Sequence, residues 1–292
     1  MEQAKEPLFT TLLAGRWAQE AQTPKPTVAG TMMRYSGAHG CGRKMGYAWF
    51  EAEYSDPPTP AMVVQAGVGT EIGRLQAEAQ IAAFGGEAEK PSRIGEDGWI
   101  SGSADWFCAT TPLGTIVYEH KVKSSLAFNR ALGYRRAFGK ASLTGDGRPP
   151  ADAVTQVGLN VMGIERTYGI TVDAAVVGVF TTDVLSVREA RQVKVSDWAR
   201  YCGEWVLSVD EVRTRAASEL NRMEAFVEAM EVGYLPQRFA ADDDGTRRAL
   251  DPEGNNWQCD YCPYRQLCAL DGDGLVAVLA SKMTRRSTDT GE

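Results

Sequence analysis

Large and small residues alternate from Ile100 to Phe107, and β-branched and aromatic residues crowd Thr115 to Val122, with Thr111, Pro112 and Gly114 between the two runs. That pattern predicts two strands joined by a tight turn. Helical periodicity marks Ala66 to Phe84, Phe128 to Lys140, Ala151 to Arg166 and Asp210 to Val232. The last of these sets Val212, Ala216, Leu220, Met223, Phe226, Val227 and Met230 on or near one face. Ala174 to Thr181 is apolar throughout and reads as a buried strand, with a shorter strand at Val193 to Val195. Nearer the start, Phe9 to Ala18 and the aromatic-rich Ser36 to Tyr54 read as helices, Cys202 falls in a further helix, and the prolines between Asp56 and Pro60 form a break. Asp197 and Ser208 are candidate helix caps. Helices and strands in this order imply an α/β fold with a mixed central sheet flanked by helices.

Composition narrows this only a little. With 292 residues, 43% of them hydrophobic, the chain can bury a sizeable core. No apolar run reaches membrane-spanning length and the N-terminus lacks a signal pattern, so a cytoplasmic protein without membrane contact is expected. The net charge of -7 argues against a wholly basic nucleic-acid binder. Locally the balance reverses: from Lys121 to Arg148 there are seven basic residues against one acid, Asp146. Lys123, Arg130, Arg135 and Arg136 are the candidates for holding a nucleic-acid backbone, and Phe128, Tyr134 and Phe138 lie among them. A solvated helix with its aromatics in the core is the plainer alternative.

The hairpin carries the candidate chemistry. Side chains alternate across a strand, so Glu119 and Lys121 share a face, and the neighbouring strand brings Asp105 beside them. Two carboxylates suit a hard divalent cation, and an ammonium next to them can orient or polarise a water molecule attacking a phosphodiester. An exposed Glu/Lys pair on a surface strand is the alternative reading.

A second concentration of chemistry is Cys259-Asp-Tyr-Cys262-Pro-Tyr-Arg-Gln-Leu-Cys268. Three clustered thiols favour a soft metal, and the fourth ligand is expected from Cys41, in the glycine-rich SGAHGCGRK, rather than from Cys108 or Cys202. An iron-sulfur cluster and a structural zinc both fit this spacing.

Taken together, Gly-Ser-Ala-Asp105, Glu119-His-Lys121, the downstream helical Gln156 and one early cysteine followed by C-x2-C-x5-C resemble the RecB-like branch of the PD-(D/E)XK nuclease superfamily. The resemblance is greatest to its iron-sulfur members, the CRISPR-associated nucleases of Cas family four and the AddB-type nucleases, and covers about Met33 to Ala269. It implies a restriction-endonuclease-like core and a helical iron-sulfur subdomain joining the two ends of the chain. Residues 1–60 would supply one cluster cysteine, 61–235 the nuclease core, 236–270 the cysteine-rich segment and 271–292 a flexible tail.

By the same resemblance, Asp105 and Glu119 bind Mg2+ or Mn2+, Lys121 and Gln156 complete the catalytic set, and Cys41, Cys259, Cys262 and Cys268 hold a 4Fe-4S cluster. The chain departs from the family in two places. The histidine usual in the helix before the first acid is missing, leaving Gln76 nearest, with Glu78 and Glu71 as acidic substitutes; and Asn160 stands where a tyrosine is common. The function implied is a metal-dependent deoxyribonuclease, with exonuclease or single-strand action favoured, in a prokaryotic or phage-infected cell. Its partners would be DNA ends or single strands, with a second copy of the chain or recombination or CRISPR proteins as possible associates. The alternatives are an iron-sulfur DNA-binding protein with weak or lost cleavage, and a zinc-stabilised binding module.

Overall fold

The structure, a computed structural model, describes residues 33–50, 52–95, 98–123, 127–128, 131–132, 134–137, 140–143, 147–181, 202–241, 247–249, 257–271 and 276–277. Its centre is a six-stranded mixed sheet: β1 (Met33–Arg34), β2 (Glu87–Ile94), β3 (Ile100–Thr111), β4 (Gly114–Lys123), β7 (Ala174–Thr181) and β8 (Cys202–Leu207). The expected hairpin is β3 and β4, antiparallel in the register Trp106 to Tyr118 and Phe107 to Val117. β4 and β7 are parallel. A parallel pair needs a crossover, and helix α3 (Ala151–Tyr168) supplies it.

Helix α3 is buried along Val154, Val157, Val161 and Ile164, which pack on Phe107, Val117, Ala175, Val177 and Val179 of the sheet. Each fully buried aliphatic chain of this kind contributes roughly 1.5–3 kcal/mol. Helix α4 (Val209–Glu231) lies against α3, with Ala216, Met223 and Met230 in a second cluster that includes Leu159, Tyr35 and Ile100. The two helices approach closely at Gly158, where a Cβ would stand 2.3 Å from the carbonyl oxygen of Val212. On the opposite face of the sheet, Trp106, Tyr118 and Val176 pack with Ile81 of helix α2 (Pro60–Phe84). The mixed sheet flanked by helices is thus as the sequence implies.

Several boundaries and two assignments differ. The segment read as a helix from Phe128 to Lys140 instead contains an antiparallel pair, β5 (Tyr134–Ala137) with β6 (Lys140–Leu143). Gly133 and Gly139 flank β5, and such punctuation favours a turn over a continuous helix. Cys202 begins β8 rather than lying in a helix. Helix α2 starts at Pro60, inside the stretch read as a break: Thr59 caps it, its Oγ1 accepting from the Met62 N–H at 3.3 Å, and proline suits the first helical position. Ser36 to Tyr54 is not one helix but a single 3-10 turn, Tyr35–Gly37, followed by helix α1 (Gly42–Trp49). β2 had no counterpart in the sequence reading. Phe9 to Ala18, Val193 to Val195 and Asp197 lie outside the described residues. Among the described residues, no helix is long and apolar enough to cross a membrane.

Candidate active site

β3 and β4 fork at the residues of interest. β2 covers one edge of β3 along Ile100 to Phe107, so β1, beside Ile100 and Ser101, and β4, beside Trp106 onward, must share the other edge. Between them, among the described residues, no strand pairs with the edge of Gly102 to Asp105. Asp105 fills the end of that gap with its side chain, Oδ2 accepting the His120 backbone N–H at 2.6 Å. The regular alternation of β3 is interrupted here, since Ala104 and Phe107, three residues apart, join the same core cluster. Opposite, on β2, Glu89 adopts a left-handed backbone with φ 52°. Beyond the fork β4 is paired, among the described residues, with β7 alone, and its alternation places Glu119 and Lys121 towards α3.

There Lys121 Nζ donates to Glu119 Oε1 at 2.7 Å and to Gln156 Oε1 at 2.6 Å. Asn160, one helical turn after Gln156 and fully buried, donates from Nδ2 to Glu119 Oε2 at 3.2 Å. Both oxygens of Glu119 are therefore held. Lys123 pairs with Asp152 at 3.3 Å, near the start of the same helix. The structure thus brings Asp105, Glu119 and Lys121 together, as strand alternation implied, and places beside the lysine Gln156, which only the family resemblance had pointed to. It adds Asn160, whose position one turn beyond Gln156 was the available signal, and Asp152, which had none.

Burial governs the electrostatics. Asp105 is pushed up to about 6, chiefly by desolvation, with the His120 N–H and the Lys121 charge opposing and the Glu89 charge adding. Glu119 is pushed up to about 8 by complete burial, with Lys121 opposing and Asp105 adding. Burial alone would lower Lys121, but the carboxylates of Glu119, Asp152 and Asp105 outweigh it and hold the amine above its usual range. Two carboxylates whose charge burial penalises, beside a retained ammonium, are suited to a cation that replaces their protons. A cleft of about 540 Å³ reaches Asp105 and Gln156, and Arg34 and Arg93 lie along it.

The remaining candidates are placed differently. Glu78 lies on the exposed side of α2, where it and Glu71 pair with Arg74 rather than turning to the sheet. Gln76 does turn inward, its Oε1 buried and without a hydrogen-bond partner among the described residues. His120 faces away from Glu119, its Nε2 sharing a hydrogen bond with Gln80 at 2.9 Å, and burial lowers it to about 4. Of the proposed backbone-binding cations, Lys123 is engaged with Asp152, Arg135 and Arg136 lie in β5, and Arg130 is outside the described residues.

The four cysteines converge from the two ends of the described chain. Cys41 is the N-cap residue of α1 and packs on Cys259. Cys259 is pushed up to about 11, first by burial and then by Cys41, Cys262 and Cys268; Cys262 and Cys268 are also raised by burial, with Cys41 adding to each. Around them the segments are tied: Asp56 accepts from the Gln266 backbone and side chain at 2.8 and 2.9 Å, Arg43 donates to the Pro236 carbonyl at 2.6 Å, and the Tyr47 and Tyr264 rings lie 5.2 Å apart. Cys108 and Cys202 lie elsewhere, in β3 and β8. Among the described residues, no group of three or more His, Cys, Asp or Glu side chains stands where it could hold a metal ion.

No family model matches the chain, and no curated protein matches it. Among solved structures it is similar to "Crystal structure of SSO0001", with 13% identity and a TM-score of 0.46 over 90% of this chain and 97% of that chain.

Proposed function

We propose that this protein is a divalent-metal-dependent deoxyribonuclease with a restriction-endonuclease-like core. The observation that carries the reading is the Lys121 ammonium suspended between Glu119 and Gln156 beside Asp105, at the fork of two strands. Asp105 and Glu119 would hold Mg2+ or Mn2+. When bound, the ion supplies Lewis-acid polarisation of the phosphate and acidifies water. Lys121 supplies charge for the phosphate oxygens and donates to the attacking water, while Gln156 keeps the amine aimed. Asn160 prevents Glu119 from rotating away. Phosphodiester hydrolysis asks mainly for such positioning and charge compensation, and DNA ends or single strands are the favoured substrates.

We infer further that the four thiols are an all-sulfur donor set for a soft metal, drawn from two distant segments, with burial and mutual repulsion opposing ionisation until a cation compensates; as they stand no three of them are grouped to hold one, so binding would have to draw them together. A 4Fe-4S cluster at Cys41, Cys259, Cys262 and Cys268 would tie those segments within a helical subdomain, and zinc is the competing occupant. A second reading keeps the fold and the cysteine site but gives DNA binding with weak or lost cleavage; the outward Glu78 and the non-acidic Gln76 favour it. Incubation of end-labelled single- and double-stranded DNA with Mn2+, Mg2+ or EDTA separates the two. Metal-dependent loss of label supports the nuclease; binding without loss supports the second reading.

A further inference from the structure

His39 stands between the cysteine site and the acid and lysine site and touches elements of both. Its backbone N–H donates to Glu219 Oε1 at 2.8 Å, and its Nε2 shares a hydrogen bond with Thr155 Oγ1 at 2.6 Å. Thr155 precedes Gln156, the residue that holds Lys121, and His39 lies two residues before Cys41. His39 has a left-handed backbone, φ 63°, which is uncommon outside glycine though less so for histidine than for most residues.

The surroundings of His39 are stiff. Glu219 is buried in the face of α4 that packs on α3, and Arg222 donates to its Oε2 at 2.9 Å and to the Gly40 carbonyl at 3.2 Å. Arg222 also lies over the Phe226 ring, 4.8 Å from its centre. At Gly42, immediately after Cys41, a Cβ would collide with that ring at 2.5 Å. The loop from His39 to Gly42 is thus gripped by α4 on one side while its histidine grips α3 on the other. A shift of Cys41 cannot be absorbed locally without disturbing one of these contacts.

We propose that His39 is a positioning residue that links the arrangement of the four-cysteine site to Gln156 and Lys121, through its hydrogen bond to Thr155. This rests on the reading of Lys121 and Gln156 as parts of a reaction centre. With the cysteine site assembled, the loop holds the N-terminal turns of α3 in place. When Cys41 is displaced, His39 leaves Thr155 and the Gln156 turn loosens. Coupling of this kind is reciprocal, so a change at Thr155 must also be felt at Cys41.

The test is amide hydrogen exchange over Val154 to Asn160 in the full chain, its Cys41→Ala, His39→Ala and doubly substituted forms, with β7 as the internal control. Each single change should speed exchange in α3 about tenfold, the size expected for one buried hydrogen bond, and the double should be no faster than either. Unchanged α3 exchange in His39→Ala, or effects that multiply in the double, would overturn the link. If Cys41→Ala also loses protection in β7, the reciprocal arm decides. Thr155→Val should raise the rate of iodoacetamide labelling at Cys41 several-fold with β7 intact, and an unaltered rate would overturn the link. Neither readout needs hydrolysis: coupled ends in a protein that cleaves nothing would refute the nuclease reading alone, and uncoupled ends in an active nuclease would refute the link alone.

Discussion

Lys121 Nζ stands 2.6 Å from Gln156 Oε1 across the gap between strand β4 and helix α3, and that bond fixes where the ammonium points. Replacing Gln156 with leucine leaves Lys121 bonded to Glu119 alone. Loss of one hydrogen bond to a charged group should lower the cleavage rate about 10- to 100-fold with DNA affinity little altered. Comparison of kcat with KM for the variant checks this; a rise in KM with kcat unchanged would assign Gln156 to binding instead.

Asn160 is expected to matter for stability as well as for the site. Asn160→Ala strips the donor from Glu119 Oε2 in a fully buried setting and should cost about 1.5–3 kcal/mol, read as a lower denaturant midpoint. An unshifted midpoint would mean that Glu119 is held by other groups.

The buried acids set a pH dependence whose sign follows from linkage. Asp105 is raised from 3.8 to about 6 and Glu119 from 4.5 to about 8, so between those limits the folded protein binds more protons than the unfolded chain. Without divalent metal their contribution to stability is fully present below about pH 4 and is lost as pH rises through 6 and 8. The melting temperature of the parent minus that of Glu119→Gln should therefore fall from pH 5 to pH 8, and Mn2+ should reverse the fall by replacing the proton. A difference that rises with pH would contradict the assignment.

Anaerobically purified protein should be brown, and Cys41→Ala, Cys259→Ala, Cys262→Ala and Cys268→Ala should each lose the colour while Cys108→Ala and Cys202→Ala keep it. Visible absorption with iron and zinc analysis decides; colourless protein with one zinc per chain would replace the cluster with zinc.

The local features of this site were legible because they depend on spacing. Alternation alone puts Glu119 and Lys121 on one face, whereas Gln156, on the crossover helix beyond the β5–β6 pair, was indicated only by the family resemblance. The orientation of α2 was nearly legible. Gly69 and Gly73 lie on the side of the helix that faces Val122 and His120, where a Cβ would make only ordinary contact, while Glu78 pairs with Arg74 at the surface and Gln76 turns inward. The hairpin at Tyr134 to Leu143 is obscured in the sequence by a charge pattern that suits a solvated helix, although Gly133 and Gly139 interrupt that helix. The contacts of His39 with Thr155 and Glu219 span 116 and 180 residues, and no local pattern records a pairing set by how two helices cross.

The most direct test of the central claim is Lys121→Met on end-labelled DNA with Mn2+, with binding measured in parallel. The substitution removes the charge that Glu119 and Gln156 hold while keeping an unbranched side chain of similar length. Cleavage should fall at least about 100-fold, the lower range for a positioned proton-transfer or charge-stabilising group, with DNA still bound. A variant that binds and cleaves as the parent does would contradict the assignment of Asp105, Glu119 and Lys121 as the hydrolytic centre.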